Sequence, residues 1–81
     1  MNITIKAFAS VSDTCGFREK IIEIPDGSSI SCLFGELLKL APGLESMENN
    51  LLFAVNEEHC NSSARLSDGD VVAVFPPVSG G

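Results

Sequence analysis

One stripe of apolar residues constrains the fold of this chain more than any other feature. Ile30, Leu33, Phe34, Leu37, Leu38 and Ala41 recur at three- and four-residue steps, the spacing that gathers side chains on one face of an α-helix. Ser28 or Ser29 stands where a hydroxyl can accept from the orphan N–H groups of a first turn, and Pro42-Gly43 stops the helix at its other end. Gly35 weakens it by about 1 kcal/mol relative to Ala. A lone amphipathic helix has to bury its stripe against another layer, and the flanking segments supply a sheet.

Those segments alternate in polarity. Over residues 2–8, Ile3, Ile5 and Ala7 fall on one face of a strand, with Asn2, Thr4, Lys6 and Phe8 on the other. Residues 10–16 have the composition of a polar loop, with Asp13 and Gly16 as turn residues. A second strand over residues 19–24 is closed by Pro25-Asp26-Gly27. Residues 45–50 suit a short helical turn, residues 51–55 a buried strand, and the region of His59-Cys60 a further short strand. Ser67-Asp68-Gly69-Asp70 is a turn, and residues 71–75 form the last strand. The order β-β-α-β-(β)-β predicts a two-layer α+β fold: a mixed sheet of four to five strands on one main helix, its first and last strands central neighbours. That is the ubiquitin-like β-grasp arrangement. If Val72 and Val74 face the core, then Val71, Ala73 and Phe75 point outward with Phe8, and two phenylalanines on neighbouring strands make an apolar patch of the kind partners use.

Composition narrows the functional classes. The chain has 81 residues, enough for one domain near the lower limit for a self-sufficient core, and 44% are apolar. No apolar run approaches the roughly 20 residues that span a bilayer, and the alternating start is neither a signal nor a transit peptide, so no membrane and a cytoplasmic site are expected. Three cysteines without paired spacing (Cys15, Cys32 and Cys60) suit a reducing compartment and give no metal site; His59 beside Cys60 adds no close ligand pair. A net charge of −6 with scattered basic residues argues against nucleic acid and suits a basic protein partner. Neither a phosphate-binding glycine loop nor a nucleophile with an orienting base is present, so the chain has no catalytic apparatus of its own.

The sequence closes on Phe75-Pro76-Pro77-Val78-Ser79-Gly80-Gly81. The prolines hold an extended, polyproline-like path, so residues 76–81 reach about 18 Å beyond a domain of residues 1–75. A pre-extended segment loses little entropy on entering a pocket, and Gly80 and Gly81, without Cβ atoms, fit a narrow tunnel. A terminal glycyl carboxylate is inert at neutral pH until it is activated, for instance as an acyl-adenylate.

Residues 51–56, Leu-Leu-Phe-Ala-Val-Asn, together with the stretch from Leu66 through Asp68-Gly69-Asp70 to Phe-Pro-Pro-Val-Ser-Gly-Gly, resemble the small, sulfur-carrying subunit of molybdopterin synthase. The resemblance covers essentially the whole length and is strongest in the last third. It implies that the carboxylate of Gly81 is adenylated by an activating enzyme that uses ATP, and then converted to a thiocarboxylate with sulfur from a donor such as a cysteine desulfurase or rhodanese. No cofactor is held by this chain. The tail then enters the large catalytic subunit and gives its sulfur to a pterin precursor, in a heterotetramer of two small and two large subunits. It further implies that Pro76, Pro77, Val78 and Ser79 form the threaded arm, that Gly80 permits access, and that Phe8 and Phe75 dock the large subunit. The family often carries an apolar residue where this chain has His59, so this loop is expected to meet the partner differently. Three readings are distinguished by the fate of Gly81: a sulfur carrier, of this or the thiazole type; a modifier conjugated to lysines; or an interaction domain with an idle tail.

Overall fold

Strict alternation decides what the strands bury. In β1 (Asn2–Ala7) Ile3 and Ile5 are fully buried and Ala7 nearly so, as are Val72 and Val74 in β5 (Val71–Phe75). The computed structural model describes residues 1–76. These form a five-stranded mixed sheet in the order β2-β1-β5-β3-β4, with β2 at Glu19–Glu23, β3 at Leu52–Val55 and β4 at Glu58–Cys60. The first and last strands are central and parallel, with Ile5 opposite Val72 and Ala7 opposite Val74. The other three pairings are antiparallel. A parallel pair cannot be closed by a tight turn, and the long connection holds the main helix, α2 (Ile30–Leu40).

Ser29 caps α2: its hydroxyl oxygen accepts from the Cys32 N–H at 3.4 Å. Ile30, Leu33, Phe34 and Leu37 are buried against the inner face of the sheet, each adding about 1.5–3 kcal/mol of apolar transfer. The Phe34 ring meets Phe53 of β3 edge-on at 6.0 Å. Pro42 begins a 3₁₀ helix, Pro42–Asn50, which buries Leu44 beneath the end of α2. It is longer than the single turn expected there.

Residues 10–16 depart from the polar loop read in the sequence. Residues 10–15 belong to α1 (Ala9–Cys15), which lies between β1 and β2. Ser10, Ser12, Asp13 and Thr14 are weak helix formers and hide the element, which is held by tertiary contact: Val11 is 1% exposed and Cys15 packs against the core. Gly16, at φ 81, ends it in the left-handed conformation, its N–H donating to the Ser12 carbonyl. Ala9, at φ 50, turns the chain sharply off β1 one residue earlier than expected, so Phe8 lies just beyond the strand.

Candidate functional site: the outer face of the sheet

The helix covers one face of the sheet, and the strand register composes the other. Opposite residues in adjacent strands share a face, so Lys6, Ala73, Ala54 and His59 form one row across β1, β5, β3 and β4. Leu52 stands opposite Phe75 in the next row, and Phe8 completes that row beyond the end of β1. The Phe8 N–H donates to the Val74 carbonyl at 3.2 Å, continuing the ladder by one bond. The Phe8 and Phe75 rings are stacked, with centroids 4.8 Å apart and planes at 10°. Phe8 and Leu52 are each about two-fifths exposed, so the row is an apolar ridge open to solvent.

Behind that ridge the face is hollow. Ala54 and Ala73 sit opposite one another, and their methyl groups leave a concavity of about 560 Å³ walled by Phe75 and His59. The His59 ring lies 6.2 Å from that of Phe75. Lys6 borders the far side, and Asn56 and Glu57 close the end at the β3–β4 turn. Asn56 is fixed on both sides: its Nδ2 donates to Asp70 Oδ1, and its Oδ1 accepts from the Val71 N–H, each at 3.0 Å. Asp70 Oδ2 also accepts from the Ser67 N–H at 2.8 Å. The turn that frames the concavity is therefore tied to the loop that launches β5.

The outward orientation of Phe8 and Phe75 agrees with the alternation, and the structure brings the two rings together. Pro76 follows β5 directly and is half-buried. Pro77, Val78, Ser79, Gly80 and Gly81 lie outside the described residues. Sequence reading set Ala73 outward with Phe75 and missed two members of the face. Leu52 and Ala54 come to it only through the register, which sequence alone does not supply. It also set His59 apart, whereas the structure stands it on the same face as Phe75; Cys60, its neighbour on β4, packs against the core.

No thiol belongs to this face. Burial raises the pKa of Cys15 and of Cys60. At the start of α2 the exposed Cys32 is held below the ordinary thiol range, first by the Ser29 backbone and then by the Ser29 hydroxyl. Among the described residues no group of three or more His, Cys, Asp or Glu side chains is placed to hold a metal ion, and no helix is long and apolar enough to cross a membrane.

A five-stranded mixed sheet with parallel central strands, wrapped on one helix, is the ubiquitin-like β-grasp fold. The profile of the ThiS family matches residues 5–81, and the chain belongs to that family. Its relatives include the molybdopterin synthase sulfur carrier subunit of Chlamydomonas reinhardtii, 34% identical with all of both chains covered. The human molybdopterin synthase sulfur carrier subunit is 32% identical over 98% of this chain and 93% of its own. Among solved structures, a Pyrococcus furiosus protein described as subunit 1 of a molybdopterin converting factor superposes with a TM-score of 0.88 at 31% identity, covering 96% of this chain and 99% of that one.

Proposed function

We propose that this protein is the sulfur-carrier subunit of a molybdopterin synthase, acting through a thiocarboxylate on Gly81. One observation carries the reading: the family match runs from residue 5 through Gly81, and full-length relatives above 30% identity are sulfur carrier subunits of that enzyme. The chemistry divides between two regions. An activating enzyme joins the Gly81 carboxylate to AMP from ATP, releasing pyrophosphate. The persulfide of a cysteine desulfurase or rhodanese-type donor attacks the acyl-adenylate and displaces AMP, and a second thiol then cleaves the resulting acyl disulfide, leaving the thiocarboxylate on Gly81 and a disulfide on the donor side. Residues 76–81 carry that group into the large catalytic subunit as an extended arm, and the pterin precursor receives the sulfur there. The domain of residues 1–75 supplies no reacting group; it docks through the face built on Phe8 and Phe75 and so sets where the arm begins. Two small and two large subunits assemble in the cytoplasm.

Intact-mass measurement tests this directly. Incubated with the activating enzyme, ATP and a sulfur donor, the protein gains the mass of one oxygen-to-sulfur exchange, located at Gly81. Deleting Gly81 or appending one residue after it abolishes sulfur transfer and leaves thermal unfolding unchanged. Adducts on target lysines in place of the sulfur gain would identify a protein modifier. An unmodified terminus with every reactant present would overturn the carrier reading.

A further inference from the structure

The concavity behind Phe75 has a definite chemistry, and it specifies what the partner must bring. Its floor is two methyl groups, Ala54 and Ala73, with Ala54 4% exposed. One side is walled by Phe75, whose ring is stacked on Phe8, together with the neighbouring exposed imidazole of His59; Val71 and the Asn56-Glu57 turn stand on the other. A floor of two methyl groups beside these rings leaves room for an apolar side chain. The imidazole does not fit a purely apolar partner. Among the described residues its nitrogens make no hydrogen bond or ion pair, so a surface that covered it without offering a partner would strand a polar group, a loss of about tenfold in affinity or more.

The charges on this face indicate what that partner group is. Lys6 stands on the same row as His59, with Glu19 of β2 opposite it at the row's far end, and has no ion pair among the described residues. Glu57, on the exposed turn, is the one carboxylate lining the concavity among the described residues. The imidazole at the β4 end of this row has no polar partner among the described residues, and a carboxylate is the strongest acceptor that a docking surface can offer it. Resting on the sulfur-carrier reading, we propose that the large subunit inserts one apolar side chain over Ala54 and Ala73 and presents a carboxylate to the His59 imidazole. The acid–imidazole hydrogen bond is charge-assisted, which sets it above a neutral acceptor in strength. His59 thereby makes this carrier specific for a large subunit with an acidic residue at that position.

Titration calorimetry of the protein against the large subunit of the same organism tests the pairing, with circular dichroism melts confirming that each variant is folded. His59→Leu weakens binding about tenfold, His59→Arg stays within about threefold of wild type, and His59→Glu weakens it about 100-fold or more. Filling the hole with Ala73→Leu weakens binding by at least about thirtyfold. His59→Leu binding as tightly as wild type, or tighter, means that the facing surface is apolar and overturns the proposal. His59→Glu binding no worse than His59→Leu means that the facing acceptor is neutral and overturns the carboxylate. If wild-type protein fails to bind the large subunit at all, the sulfur-carrier reading falls and takes this inference with it. If wild type binds and accepts sulfur but the His59 series is flat, the inference alone fails.

Discussion

The two faces of the central strands are built by alternate residues of the same segments, yet they meet opposite demands. On the inner face Ile3, Ile5, Val72 and Val74 are fully buried in one core cluster with Ile30, Leu33 and Leu37 of the helix. On the outer face Phe8 and Leu52 are about two-fifths exposed, and the row behind the ridge runs through two alanines, Ala73 and Ala54, between Lys6 and His59. The inner face uses volume; the outer face uses its absence. Close packing makes the first intolerant of any change in shape. The second keeps a ridge and a hollow that the isolated domain leaves empty, and an apolar relief of this kind on a small acidic protein marks a partner surface. Register ties the two together, since the pairing that buries Ile5 with Val72 also sets Lys6 beside Ala73.

The largest expected effect comes from breaking the inner face. Ile5→Ala removes a fully buried side chain from a central strand and leaves a cavity under α2. It should cost about 2–5 kcal/mol, lowering Tm by some 10–25 °C for a domain of this size. Urea denaturation checks it; a loss under about 1 kcal/mol would show that the helix collapses onto the gap.

Phe75→Asp sharpens the contrast from the other side. Its Cα neighbours Leu52 across the sheet and its ring rests on Phe8, both exposed residues, so the isolated domain should lose no more than about 1 kcal/mol beyond the ring stack. Docking to the large subunit should weaken about thirtyfold to 100-fold, the loss typical of a buried aromatic anchor. Measured together, melting and affinity must part company. A monomer as damaged as in Ile5→Ala would place Phe75 in the core.

How much of this was legible in the sequence follows from which forces act locally. Alternation exposed the orientation of Ile3, Ile5, Phe8, Val72, Val74 and Phe75, because a period of two survives any choice of partner strand. The α2 stripe was equally plain and its cap was narrowed to Ser28 or Ser29, of which the structure uses Ser29, since spacing and cap chemistry are local. The hidden features depend on contacts between distant segments. α1 is written in serines, aspartate and threonine and is held by Val11 against the core, which no local propensity records. The hollow needs Ala54 beside Ala73 and His59 beside Ala54, pairings set by register. His59 looked isolated in the sequence because its neighbours in space, Phe75 and Ala54, lie 16 and 5 positions away along the chain.

The smallest expected effect separates the outer face from the turn that frames it. β3 and β4 are joined by Asn56-Glu57, with φ of 50° and 73°, the pair of left-handed residues that a two-residue hairpin matched to strand twist requires. Asn56 suits its position and is anchored to Asp70 and Val71. Glu57 bears the strain, because a side chain there costs roughly 1–2 kcal/mol against glycine, while glycine gives back about 0.5–1 kcal/mol in the unfolded chain. Glu57→Gly should therefore stabilise the domain by about 0.5–1 kcal/mol and raise Tm by about 2–8 °C. The same variant removes a carboxylate that lines the concavity, so it also removes a like charge from the path of an acidic partner group. Binding to the large subunit should hold or tighten slightly alongside the higher Tm. If affinity falls while stability rises, Glu57 itself contacts the partner, and the charge opposite this end of the face is basic.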